Sequence, residues 1–296
     1  MEASTLAGVH GIRNYGYLRD AAGDLPTAVQ TIAADWSSWI GRGFEKESGA
    51  GSQEPCPVAY YADCLFRGDR MGAGGSPRLT PFAEHLLAQW IEEVRSEEQA
   101  AAPTPLVSQG RLTSALRSMS EWFTERYGQR ALRLVTATVS ELAAYFDPAF
   151  PEERERARER VAALLRERRP KVLLAHSLGS VVAYEALRRD PRLRVELLVT
   201  LGSPLAMRTV VFDRLAPPVH GRGTKPPGVV EWVNIADRGD PVAVPKGGIS
   251  ERFSGVARDH TASIHLVDPH MAKNYLRCAE LVGEIRKFLR GGPRAA

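Results

Sequence analysis

Cysteine is scarce in this chain: Cys56, Cys64 and Cys278 are the only three among 296 residues. An odd, scattered set excludes a disulfide framework, and none of the spacings is that of a metal site. Such usage fits a reducing compartment, so a cytoplasmic location is expected. Long apolar runs are missing as well. No stretch approaches the roughly 18 apolar residues that span a bilayer, and no stable membrane insertion is expected. The opening MEASTLAGVHGIRNYG has no basic segment followed by an apolar core, which argues against a secretory leader. Charge of one sign is also lacking: 39 Lys and Arg stand against 35 Asp and Glu, a net +4. The densest run, PEERERARERVAALLRERRPK, mixes both signs at i,i+4 spacing. That is the pattern of a solvated helix face rather than of a nucleic-acid stripe, so no nucleic-acid partner is expected.

What is present is an ordinary globular composition, 44% hydrophobic and 25% charged. One domain over residues 1–296 is expected, since α/β folds often use such a length around a single core. Apolar strand-like runs (6–11, 57–66, 171–176, 195–205, 229–237, 262–267) alternate with helical patterns (24–40, 81–98, 110–128, 151–170, 179–189, 271–290). Residues 132–146 suit either state. The alternation predicts an α/β fold, a mostly parallel sheet with helices on both faces. The Gly-rich stretch RGDRMGAGGSPRLTP and the two amphipathic helices after it predict a helical cap or lid inserted over 67–130, although plain outer-layer helices would read the same way.

The stretch KVLLAHSLGSVVAYEAL, 171–187, carries the chemistry. A strand runs into a helix, and Ser177 sits at the reversal between small residues. A helix N-cap alone would account for a serine there. However, Ala175-His176-Ser177-Leu178-Gly179 resembles the G-x-S-x-G nucleophile elbow of the α/β-hydrolase superfamily, particularly its bacterial lipase- and esterase-like members. The departure is Ala175 where the family has glycine. Two further segments carry the same resemblance. Val9-His10-Gly11-Ile12-Arg13, at the end of an N-terminal strand, is similar to the oxyanion-hole segment. WVNIADRGDPVAV and the later His270…Asn274-Tyr275-Leu276 are similar to the segments holding the acid and the base.

The family's order of serine, acid and base leaves Asp237 or Asp240 as the acid and His260, His265 or His270 as the base. The resemblance favours Asp240, before Pro-Val, and His270, ahead of the last helix. It thus implies a Ser177–Asp240–His270 triad, with the backbone N–H groups of Ile12 and Leu178 as oxyanion donors. His10, Gly11, Arg13 and Ser203 are the residues expected to line the substrate pocket. His10 is expected as a hydrogen-bonder rather than a base, and Arg13 faces either the pocket mouth or solvent. Ser203 precedes a proline and no helix, so it lacks an elbow. The family's first two strands are not expected, because the oxyanion strand starts near residue 6. The implied activity is hydrolysis of a carboxylic ester or thioester through an acyl-enzyme, on a small or lipid-like acyl substrate, with no metal or organic cofactor. Two alternatives stay open: an acyltransferase with the same triad, and a non-catalytic binding protein of the same fold.

Overall fold

The computed structural model describes residues 5–49, 51, 54–66, 79–99, 112–264 and 269–291. In chain order its elements are β1 (Leu6–Val9), α1 (Tyr15–Asp20), α2 (Leu25–Ser48), β2 (Val58–Ala59), α3 (Ala62–Leu65), α4 (Pro81–Gln99), α5 (Leu112–Phe146), α6 (Pro151–Arg168), β3 (Val172–His176), α7 (Leu178–Arg189), β4 (Val195–Leu201), β5 (Gly223–Thr224), β6 (Val229–Asp237), β7 (Phe253–Ser254), β8 (Arg258–Ala262), α8 (Ala272–Tyr275) and α9 (Ala279–Gly291). Six strands form one sheet in the order β2-β1-β3-β4-β6-β8, and β5 and β7 form a separate ribbon. Every pairing in the main sheet is parallel.

Parallel strands are joined by crossovers that cover the faces of the sheet, so its inner strands are buried on two sides. β3 shows the consequence: all five of its residues are buried. Its side chains alternate between two cores. Leu173 and Ala175 join Leu198 and Trp232 in a cluster with α4, α5, α6 and α7. Val172 and Leu174 join Val199 and Ile235 in a second cluster with α2 and α9. The expected cap helices are part of this packing. Leu86, Leu87, Trp90, Ile91 and Val94 of α4 lie in the same cluster as the sheet residues. Residues 67–78 and 100–111 of that expected insertion, its run of glycines included, lie outside the described residues.

Several expected elements differ. The strand over 57–66 shrinks to β2, because the following tyrosines bind the loop after β1 instead of a neighbouring strand. The Tyr61 N–H donates to His10 Nε2 and the Tyr60 hydroxyl donates to Asn14 O. Residues 132–146 are helical and continue the preceding helix as α5, which breaks at Gly128, φ 84°. The strand expected at 262–267 comes earlier, as β8. Its ladder stops where the Ile264 N–H turns to the Asp237 carboxylate (2.6 Å), and residues 265–268 lie outside the described residues. The single final helix is two, α8 and α9, separated by a tight turn in which the Cys278 N–H donates to Tyr275 O.

The topology locates a crevice. From β1 the chain crosses outward to β2, then returns past β1 to β3 on its other side. The loops after β1 and β3 therefore diverge at the carboxyl edge, and such a switch point leaves room for a ligand.

Candidate active site

Ser177 stands at that switch point, between β3 and α7. Its φ of 53° and ψ of −130° are strained for a residue with a side chain, and such strain costs about 1–3 kcal/mol. The surroundings enforce it. The Ser177 N–H donates to Leu201 O across the sheet, and Ser177 O accepts from the Ser180 N–H (2.9 Å) and hydroxyl (2.6 Å). Gly179 lets α7 press onto β1, since a Cβ there would sit 2.2 Å from His10 O. Gly11 does the same from the other side: its Cβ would sit 2.7 Å from Ser177 Cβ. The loop after β1 is thus packed directly against the serine.

The serine hydroxyl lies 2.8 Å from His270 Nε2, and His270 Nδ1 lies 2.7 Å from Asp240 Oδ2. All three side chains are buried. Asp240 Oδ1 accepts the Val242 N–H (2.8 Å), and Oδ2 also accepts the Tyr275 hydroxyl (2.8 Å). Burial raises the Asp240 carboxyl, but His270, the Val242 amide and the Tyr275 hydroxyl outweigh it and hold the carboxyl below its ordinary value. The carboxylate is therefore ionised and can only accept, so His270 Nδ1 carries the hydrogen of their contact. In the neutral imidazole Nε2 is then the bare nitrogen, and it faces the serine hydroxyl.

The other candidates are occupied elsewhere. Asp237 accepts the N–H groups of Gly239 and Ile264 (both 2.6 Å), so it caps a turn and holds the end of β8. His260 lies on β8 with its Nε2 2.8 Å from Glu284. His265 lies outside the described residues. Ser203, expected in the pocket, is buried with its hydroxyl 2.6 Å from the Ser180 hydroxyl and accepting the Leu205 N–H (3.2 Å). Through these bonds it braces α7 behind the elbow. Leu178 is the first residue of α7, where helical N–H groups have no intrahelical acceptor. Ile12 and Gly11 are buried in the loop after β1, and Arg13 is exposed with φ 65°.

His10 is a structural hydrogen-bonder. Its Nε2 accepts the Tyr61 N–H (3.0 Å), which leaves Nδ1–H to donate to Gly11 O (2.7 Å), and the ring stacks on Tyr61 at 4.2 Å. His176 has no role marked in the sequence, yet its Nε2–H donates to His270 O (2.9 Å) and so fixes the loop carrying His270. Tyr275 was missed in the same way; its hydroxyl donates to Asp240 and accepts the Asp237 N–H (3.0 Å). Trp90 of α4 reaches the same loop, its Nε1–H donating to Pro241 O (3.1 Å).

These buried histidines make stability depend on pH. Burial lowers His10 to about 4, and burial with the charge of His270 lowers His176 to about 3, both from 6.5. In that window the unfolded chain binds more protons than the folded one, so stability falls with falling pH. Glu141 opposes them: burial raises its carboxyl from 4.5 to about 7, despite the Arg13 amide, so over that range the folded state holds the extra proton. His85 (lowered by burial) and Glu251 (raised by burial) are more exposed and pull in opposite directions. Two histidines against one carboxyl leave about one net proton between roughly pH 6 and 5, above the range where the lowered carboxyls titrate, a loss of about 1.4 kcal/mol per unit of acidification. Urea unfolding at pH 6 and 5 measures this slope. Glu141→Gln removes the opposing group and should steepen it about twofold; an equal slope in both proteins would disprove the assignment.

Among the described residues no cluster of His, Cys, Asp and Glu is arranged to hold a metal ion. No described helix is long and apolar enough to cross a membrane. Comparison with known proteins gives no match to a family model, a curated protein or a solved structure.

Proposed function

We propose that the protein is a serine hydrolase of α/β-hydrolase type, cleaving a carboxylic ester or thioester through an acyl-enzyme on Ser177. The observation carrying this reading is the unbroken hydrogen-bond chain Ser177–His270–Asp240, with its serine held at positive φ between strand and helix. An N-cap serine has no use for a buried imidazole backed by an ionised carboxylate. Sheet order supports the same reading: the oxyanion loop, the elbow and the acid follow the carboxyl ends of β1, β3 and β6.

In the proposed reaction His270 Nε2 takes the Ser177 proton as Oγ attacks the acyl carbon. The tetrahedral oxyanion accepts from the N–H groups of Leu178 and Ile12. His270 then returns the proton to the departing alkoxide or thiolate, and the acyl group stays on Ser177. A water, deprotonated by His270, attacks the acyl carbon, and His270 gives that proton to Ser177 Oγ as the acid leaves. Asp240 stays ionised throughout and stabilises the imidazolium.

A fluorophosphonate tests this reading, because it phosphonylates only an activated serine. Intact-mass measurement should show a single adduct, peptide mapping should place it on Ser177, and Ser177→Ala should abolish it. No adduct, or one that persists on Ser203, would overturn the proposal.

A further inference from the structure

An oxyanion donor must be aimed before the charge develops, and the loop after β1 carries side chains that hold its peptides in place. The Gly11 carbonyl accepts from His10 Nδ1–H (2.7 Å) and from Asn14 Nδ2–H (3.0 Å). A trans peptide is planar, with its N–H directed opposite its C=O. Anchoring Gly11 O therefore sets the direction of the Ile12 N–H. The next peptide is held at both ends. Asn14 Nδ2 uses its second hydrogen on Ile12 O (2.8 Å), and the Arg13 N–H donates to Glu141 Oε1 (2.6 Å).

This hold is needed because Arg13 takes a φ of 65°, a conformation a side chain disfavours. It also decides between neighbouring donors: the Arg13 N–H is committed to Glu141, so Ile12 supplies the free one. Glu141 comes from α5, 128 residues along the chain from Arg13, so the loop is tied to a helix outside its own βαβ unit. Asn14 is itself fixed, its carbonyl accepting the Tyr60 hydroxyl (2.9 Å). The held loop touches the nucleophile through Gly11.

We propose that Asn14 and Glu141 are positioning residues of the oxyanion hole, locking the two peptides that flank Ile12 so that its N–H points at the substrate oxygen. The assignment rests on the hydrolase reading above. Neither side chain touches the reacting atoms. Their loss should therefore slow the chemical step and leave the initial encounter with a ligand unchanged.

The experiment compares inactivation of the wild type, Asn14→Leu, Glu141→Leu and Glu141→Gln by a small fluorophosphonate, resolving kinact from KI. Removing a donor outright from an oxyanion hole costs about 10²–10³, so loosening one should lower kinact by roughly 10–100-fold in both leucine variants, with KI unchanged. Glu141→Gln keeps an acceptor oxygen for the Arg13 N–H and should recover most of kinact. Melting curves accompany each variant. If Asn14→Leu does not fold, Asn14→Asp takes its place, being isosteric but without the Nδ2 hydrogens, and the same loss is expected. Wild-type kinact in the leucine variants would overturn the positioning role while leaving the hydrolase reading intact, as would a Gln variant no better than Leu. A wild type that forms no Ser177 adduct would overturn the hydrolase reading and this proposal with it.

Discussion

Asp240→Asn is expected to lower kcat for an activated ester by about 10⁴, roughly 5.5 kcal/mol of transition-state stabilisation, with KM little changed. The geometry gives the reason. Asp240 Oδ2 faces His270 Nδ1, and an amide can present its NH2 group there. The imidazole would then move its proton to Nε2, the nitrogen that must be bare to accept from Ser177. A neutral amide also cannot stabilise the imidazolium formed during attack. Asp237→Asn should cost less than tenfold, because Asp237 holds two backbone N–H groups that an amide oxygen can partly retain. Tyr275→Phe falls between them: it removes one of the hydrogen bonds that keep Asp240 ionised but leaves the tautomer alone. Steady-state kinetics on the three variants, with circular dichroism to establish folding, check this ranking. A larger loss in Asp237→Asn than in Asp240→Asn would move the acid to the end of β6.

The parts of this site that were legible in the sequence are local in the chain. A strand, a small-residue reversal and a helix are all encoded within 171–187, and β6 is found over the residues its apolar pattern marks. The acid and base were narrowed only to candidates by the family's order, and the resembling motifs favoured one of each. What was not legible is set by contacts distant in sequence. Nothing near Glu141 marks it as the acceptor for a peptide after β1, since its own surroundings, 132–146, do not even decide between helix and strand. His176 reads as a neighbour of the serine, and its bond to His270 O depends on where the last loop comes to rest. The Tyr60–Tyr61 pair has every local mark of a strand, yet those residues are drawn into bonds with His10 and Asn14. Tertiary demand overrides strand propensity there, as it does wherever a buried polar group needs a partner.

The elbow also depends on how α7 is anchored, and Glu185 should carry a large share of that anchoring. It sits on α7, two turns past Ser177, and is fully buried. Its Oε2 accepts the Tyr145 hydroxyl (2.6 Å) and Arg154 Nε–H (3.0 Å). Its Oε1 accepts the Ala216 N–H (2.8 Å) and Arg154 Nη2–H, and Arg158 Nη1 lies 3.6 Å from Oε2. One carboxylate thus joins α5, α6, α7 and the loop after β4. Arg154 is held further by Arg214 O (2.7 Å) and packs over the Tyr145 and Phe146 rings, so it cannot swing out to water without losing that packing. Glu185→Leu leaves a half-buried guanidinium, a buried phenol and an amide without their shared acceptor, and should cost about 3 kcal/mol. Pairing it with Arg154→Met removes the uncompensated charge as well, and should restore most of that loss, because the intact pair already bears the cost of desolvating two ions. Urea unfolding of the two single variants and the double variant measures the coupling. A Glu185→Leu protein within 1 kcal/mol of the wild type, or a double variant as unstable as the sum of the singles, would mean that apolar packing holds α7 in place and that the ion pair is incidental to the elbow.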